Sequence, residues 1–297
     1  MRAESSGMRL QAAMEYLVTY SWAILIIAVA LALLYSFGVF NLTFFSPRAA
    51  PGACSVYRPQ GPGSTYLIAY AGDCNGELPQ YVASFKNKNN YMQVPSFSNH
   101  IAGLQMSMGL WAYTASSATQ GFGGISNGVD AAFYVASTPN LNCGFESSTR
   151  TPVIAVSQAP VPIGKWHYFV ITYNGGTLSC YMDGALVASN GATGYITNTL
   201  ASLSVGYLDG SVGQYVQGSE ANVQFYNTSL SANDVQALFT QGIGAAPLDL
   251  QNLVGWWPLN GNLKDYSGNG YNGGFAGNPT VTGLSYVTNW QTGYTVP

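Results

Sequence analysis

Hydrophobic and polar positions obey two different rules along this chain. Over residues 16–40, YLVTYSWAILIIAVALALLYSFGVF, apolar side chains fall on every face a helix would present, and residues 16–47 contain no charge. A helix over residues 16–40 would be about 37 Å long at ~1.5 Å per residue, enough to cross a ~30 Å hydrocarbon core with some tilt. The run exceeds the apolar core of a secretory signal, and residues 36–40 make a weak cleavage site, so the pattern predicts a membrane-spanning helix that stays in the mature protein. Arg2 and Arg9 precede it, which places the N-terminus in the cytoplasm and everything after the helix outside the cell. The expectation is a single-pass cell-membrane protein with an extracellular body.

Beyond residue 45 the pattern changes. Residues 46–64 turn to Pro, Gly, Arg and Ser and read as a linker. From Thr65 onward short aromatic or β-branched runs, at 66–70, 81–85, 105–113, 131–136 and 152–156, have strand character. Gly72-Asp73, Asn127-Gly128, Asp183-Gly184, Asn190-Gly191 and Asp209-Gly210 punctuate them with residues that tolerate tight turns. Over 166–173 the period is two: Trp166, Tyr168, Val170 and Thr172 share one face, and His167, Phe169, Ile171 and Tyr173 the other. Leu178, Cys180 and Met182 alternate on the return strand. One helix is predicted after this, with Ser231 as cap, Asp234 three residues on, and Val235, Leu238 and Phe239 on one side. Short strands, regular turns and a single short helix predict an all-β antiparallel sandwich. The chain therefore divides into a leader (1–10), a membrane helix (11–45), a linker (46–64) and a sandwich (65–297).

Composition sharpens this picture. Only 7% of the 297 residues are charged, against ~25% in ordinary globular domains, so Asn, Ser, Thr, Gln, Gly and Tyr must supply the body's surface. Such a surface suits glycan contact or an extracellular setting. A net charge of −3 leaves no basic patch for phosphates and argues against nucleic acid. Cys54, Cys74, Cys143 and Cys180 all follow the apolar run, where an oxidising compartment predicts two disulfides. Pairing of neighbours, Cys54–Cys74 and Cys143–Cys180, closes the shorter loops; buried free thiols are the alternative. With no CxxC spacing, zinc is not indicated. Asn41 and Asn227 begin glycosylation sequons.

Four stretches resemble known families. Arg9-Leu10-Gln11-Ala12-Ala13-Met14-Glu15 resembles the class III signal of archaeal type IV pilin-like proteins. That resemblance implies cleavage between Leu10 and Gln11, which would make Glu15 the fifth mature residue and an assembly residue paired with a neighbouring subunit's α-amine. Leu10 stands where the family has Gly or Ala. A plain uncleaved anchor, with Glu15 at the headgroup level, is the other reading of the same residues. Gly164-Lys165-Trp166, the strand to Thr172-Tyr173-Asn174-Gly175, and Tyr181-Met182-Asp183-Gly184 look like the central hairpin of laminin G-like, concanavalin A-like jelly rolls. Residues 222–231 are similar to that family's closing strand and helix start, with Ala221 and Asn222 where the family has acidic residues. Val254-Gly255-Trp256-Trp257 with Asp265-Tyr266-Ser267-Gly268-Asn269 resembles the family's opening segment. Its late position implies either a final segment wrapped onto one domain or the start of a truncated second copy.

The resemblance, over roughly residues 80–275, implies a jelly roll in which one face of the hairpin packs on the opposing sheet and the other helps form a concave surface. It also implies calcium held by loop oxygens, with Asp265 and Asn269 as leading candidates and Asp183 and Asp209 behind them. The competing role for all four is turn formation.

Catalytic chemistry is thinly represented. A glycosidase needs two carboxylates about 5–10 Å apart, yet no Glu-x-Asp-x-Glu arrangement occurs and most carboxylates sit in Gly-containing turns. His100 and His167 lack metal-type spacing, and there is no Gly-x-Ser-x-Gly elbow, P-loop or dinucleotide fingerprint. Trp111, Trp166, Trp256, Trp257 and Trp290 are sugar-stacking candidates, although large aromatics in a sandwich usually fill its core. The sequence thus points to a cell-surface adhesion or carbohydrate-binding protein, displayed by a membrane helix or a pilus-like filament, with a glycan or surface-protein ligand. Its alternatives are a structural pilin or envelope subunit forming a homopolymer, and a surface glycoside hydrolase.

Overall fold

The computed structural model describes residues 4–36, 46–85, 90–101, 104–126, 131–146, 152–195, 201–208, 214–277 and 283–297. The chain separates into two compact units, Met1–Ser46 and Pro47–Pro297.

Among the described residues, the first unit contains one helix, α1 (Glu4–Ser36). Its side chains are described without a gap from residue 20 to 36, and all of these are exposed. Among the described residues no helix is long and apolar enough to cross a membrane, so the transmembrane segment expected over 11–45 is not shown by them. The Leu10–Gln11 bond and Glu15 fall within the helical backbone of α1, but their side chains lie outside the described residues, as does Asn41.

The second unit is built from β-strands. In chain order they are β1 (Arg48–Ala49), β2 (Cys54–Tyr57), β3 (Ala69–Gly72), β4 (Leu78–Pro79), β5 (Val82–Ser84), β6 (Asn90–Val94) and β7 (Met106–Thr114). Next come β8 (Gln120–Ser126), β9 (Ala131–Ser137), β10 (Asn140–Glu146), β11 (Pro152–Pro160), β12 (Trp166–Tyr173), β13 (Thr177–Met182) and β14 (Ala185–Gly191). The last are β15 (Ser202–Val205), β16 (Tyr207–Leu208), β17 (Gln214–Tyr215), β18 (Gly218–Tyr226), β19 (Leu253–Trp257), β20 (Gly274–Gly277) and β21 (Ser285–Val287), with α2 (Ala232–Thr240) after β18. Seven strands form one sheet in the order β11-β10-β9-β8-β15-β6-β20; eight form the other, β14-β13-β12-β7-β18-β5-β21 with β19 also on β18. Pairing within both sheets is antiparallel.

Alternation along β12 explains how one strand serves two cores. All eight of its residues are buried. Phe169, Ile171 and Tyr173 join the core between the sheets, with Met108, Phe225 and Trp257. Trp166, Tyr168 and Val170 point the other way, into a second core with Trp111, Val235, Leu238 and Trp256. This corrects the expectation for the hairpin's second face. Where the resemblance implies an open concave surface, α2 and the terminal segments cover it. The helix is held for this job by its capping box: Ser231 Oγ accepts from the Asp234 N–H, and Asp234 returns a bond to the Ser231 N–H. Phe239 then stacks on Trp111 at 5.8 Å.

Of residues 46–64, which the composition marks as a linker, those from Pro47 onward belong to the body. β1 pairs with β4, β2 with β3, and Arg58 is 8% exposed. The final segment wraps onto the same domain. β19 adds to β18, β20 extends the seven-stranded sheet on β6, and β21 extends the other sheet on β5. Cys54 pairs with Cys74 and Cys143 with Cys180. The second bridge joins β10 of one sheet to β13 of the other through the inter-sheet core. The first ties β2 to the loop after β3 in a half-buried position.

Candidate functional site

A solvent-open cleft of about 940 Å³ lies beside the start of β18. Tyr113, at the end of β7, and Trp166, at the start of β12, are opposed in register, with ring centroids 6.0 Å apart. The C-terminal segment completes the walls with Tyr286, Trp290, Thr288, Asn289 and Thr292, while Ser219 comes from β18. Trp290 meets Trp166 edge-on at 5.9 Å. The arrangement is stapled by Trp166 Nε1–H donating to Trp290 O at 2.8 Å, Trp290 Nε1–H to Pro79 O at 3.0 Å, and the Trp166 N–H to Gly293 O at 3.0 Å. Position 293 must be glycine: its φ is +76°, and a Cβ there would overlap the Gly164 carbonyl oxygen. Arg48 Nη1 holds the rim through Thr288 O at 2.9 Å.

Both tryptophans are almost fully buried, so they make the floor; Tyr113 is half-buried on the same face, whereas Tyr286 lines the cleft from β21 with its side chain packed against the inter-sheet core. Burial pushes the Tyr286 hydroxyl up to about 12, which keeps it a neutral donor. Serine, threonine and asparagine side chains on the rim add neutral hydrogen-bonding groups. No carboxylate is among the residues lining the cleft.

A second, polar cavity of about 450 Å³ lies at the other end of β18, about 26 Å along that strand at ~3.3 Å per residue. Arg58 lines it, with His100, Asn227, Gln251, Asn252, Asn269 and Tyr271. His100 stacks on Tyr271 at 4.0 Å. A third groove, about 540 Å³ beside the Cys54–Cys74 bridge, is lined mostly by small residues and backbone. Its buried amides Asn222 and Asn260 are taken up by internal bonds.

Where they are described, the residues expected to bind calcium are hydrogen-bonded within the protein. Asp265 Oδ1 accepts from the Trp256 and Ser267 N–H groups, and Oδ2 from Ser267 Oγ–H and the Tyr271 N–H, all at 2.8–3.0 Å. Asn269 accepts from the Gly63 N–H and donates to Leu253 O and Val254 O. Both therefore lock a turn. Asp183, in left-handed backbone at φ +53°, accepts from the Tyr168 N–H at 2.9 Å and pairs with His167 Nδ1 at 2.7 Å. Asp209 lies outside the described residues. Among the described residues no group of three or more His, Cys, Asp or Glu side chains converges on a metal position.

Asn222, at the position where the resemblance expects an acidic residue, is a buried amide at φ +52°. It accepts from Trp256 Nε1–H and donates to Ala245 O, both at 2.8 Å. Asn227 sits just after β18, half-buried, with an Oδ1 that is buried and unpartnered. Trp111, Trp256 and Trp257 are core residues. Glu220 was not separable from the turn carboxylates by pattern. It is fully buried in β18, and the Gly206 N–H beside it donates to Phe122 O instead, so neither carboxyl oxygen has a hydrogen-bond partner. Burial raises it well above the usual carboxylate range, and the nearby Gly206 N–H only partly opposes this.

Comparison with known proteins agrees with this fold. Residues 86–236, just over half the chain, match the laminin G (type 3) family model, described as the concanavalin A-like lectin/glucanases superfamily. No curated protein matches the sequence. Among solved structures, a Bacteroides ovatus protein provisionally assigned to carbohydrate binding is 13% identical, with a TM-score of 0.54, over 79% of this chain and 66% of its own. The chain thus spans just under two thirds of that protein. A SAP-like pentraxin from Limulus polyphemus is 13% identical over 57% of this chain and 83% of its own, TM-score 0.43. The CBM40 of a Ruminococcus gnavus IT-sialidase, solved with α2,3-sialyllactose, is 14% identical over 54% and 97%, TM-score 0.44. At these identities the likeness concerns the fold alone. With a family model matched across half its length and two antiparallel sheets enclosing the matching core, the chain belongs to the concanavalin A-like lectin/glucanases superfamily.

Proposed function

We propose that this chain is a cell-surface carbohydrate-binding protein whose sugar site is the cleft formed by Tyr113, Trp166, Tyr286 and Trp290. The observation that carries this reading is the cleft's chemistry: the half-buried Tyr113 ring beside a Trp166–Trp290 floor, rimmed by neutral hydroxyl and amide groups. Apolar sugar faces pack on aromatic rings, and sugar hydroxyls need oriented neutral donors and acceptors. Carbohydrate binding by the Bacteroides ovatus protein, as its description has it, is consistent with this choice.

Display at the membrane is the second part of the proposal. Its support is the uncharged run of residues 16–47 together with a helix whose described side chains are apolar and exposed on all sides, a surface that calls for a lipid or protein partner. Arg2 and Arg9 orient it with the body outside the cell. A filament subunit is a second reading, favoured specifically by the Leu10-Gln11 junction followed by Glu15. Its test is the N-terminus of the native protein: a start at Gln11, with the protein recovered in filaments, supports it, and an intact leader on a monomer removes it. For the sugar site, full-length protein in detergent is applied to a glycan array beside its Tyr286→Ala and Tyr113→Ala variants. The reading expects glycan signals that both variants weaken. Absence of signal, or signals that neither variant alters, overturns it.

A further inference from the structure

The cavity around Arg58 contains a full positive charge with no ion-pair partner. Arg58 Nε donates to Ser267 O at 2.8 Å, Nη1 to Ser64 O at 2.8 Å, and Nη2 to Leu250 O and Leu253 O at 3.1 and 2.9 Å. Four carbonyl dipoles satisfy four of the five N–H groups and cancel none of the net charge. The fifth, on Nη1, has no partner among the described residues, whose only ion pair is His167–Asp183. Asp265 is the carboxylate whose field reaches Arg58, but four donors fix its oxygens within its own turn. A buried cation is costly unless something anionic compensates it.

The rest of the lining narrows the anion. Tyr271 with His100 stacked on it provides a flat ring surface. The exposed Gln251 amide stands at the rim beside Asn252, whose Nδ2–H donates to Asp249 Oδ2. An inorganic anion would use the charge and leave the ring idle. A sugar bearing a carboxylate would use both.

We infer that the Arg58 cavity is a second binding site, for the carboxylated residue of an acidic glycan, with the carboxylate toward Arg58 and the ring over the Tyr271–His100 stack. This site is separate from the aromatic cleft and does not depend on that cleft binding sugar.

Full-length protein in detergent tests it with two matched pairs: trigalacturonate against its methyl ester, and sialyllactose against lactose. Isothermal titration should show one acidic member or both binding about tenfold or more tighter than the neutral partner, as befits a hydrogen bond to a charged group. That preference should fall with added salt, disappear in Arg58→Lys, weaken in Gln251→Ala and His100→Ala, and survive in Tyr286→Ala. If Arg58→Lys does not fold, the two rim variants carry the test. Equal binding of acidic and neutral members overturns the inference. So does a preference lost only in Tyr286→Ala, or full displacement by acetate at the same concentration, which would mean a nonspecific anion site. Neutral-glycan binding that persists through such a failure leaves the aromatic cleft standing, and its loss in Tyr286→Ala alone concerns only that cleft.

Discussion

The two faces of the eight-stranded sheet are both apolar, yet they end differently. Toward the seven-stranded sheet, Phe169, Phe225 and Trp257 meet a matching wall and are fully buried. On the other face Trp111, Tyr168 and Trp256 are covered by α2 and the terminal segments, and this cover stops short at the start of β12. There Tyr113 remains half-exposed beside Trp166 and Trp290. The same alternation therefore yields structural aromatics where the cover is complete and a ligand cleft where it ends.

The strongest way to break this contrast is to remove a ring from each side. Trp257→Ala empties a site with 0% exposure and should cost about 3–5 kcal/mol in urea unfolding. Tyr286→Ala removes a half-buried ring and should cost clearly less while weakening neutral-glycan binding. Equal losses from the two would erase the distinction.

Glu220 probes the inner face by pH. The native state keeps its proton above the pH at which the unfolded chain releases one, so the native state binds more protons and stability falls as pH rises. The fall should begin near the ordinary carboxylate value of 4.5, continue up to the raised native value, and have a slope of up to about 1.4 kcal/mol per pH unit. Glu220→Gln cannot ionise and should flatten this slope in urea midpoints measured between pH 4 and 8. An unchanged slope would show that Glu220 is not its source.

A smaller effect tests the cover. Ser231→Ala removes the α2 cap and should cost about 1 kcal/mol, loosening hydrogen-exchange protection in α2 before the sheets. Smallest in stability is chelation. Because the Asp265 and Asn269 oxygens are already bonded within the protein, EGTA should leave the thermal midpoint unchanged. A shift of several degrees would place calcium in the fold after all.

Much of this fold was legible in the sequence because its signals are local. The period of two over residues 166–173 assigned each β12 side chain to its face. Ser231 and Asp234 announced a helix start through bonds only three residues long. The sites were less legible because their residues meet across long separations. Arg58 lies in a Pro- and Gly-rich stretch with no strand period, and it is fixed by a carbonyl 209 positions away. Trp166 and Trp290 are joined across 124 positions, and nothing in either neighbourhood foretells the other. The implied concave face failed for a similar reason: what covers it arrives from α2 and from both ends of the body.

The most direct test of the central claim uses the chain's six tryptophans as reporters. Full-length protein labelled with ¹⁵N at the indole nitrogens is titrated with a neutral oligosaccharide selected on the array, and the indole N–H signals are assigned by single Trp→Phe substitutions. The account predicts shifts of Trp166 and Trp290, with Trp111, Trp256 and Trp257 unmoved. Shifts confined to those three, or no shift at saturating glycan, would contradict it.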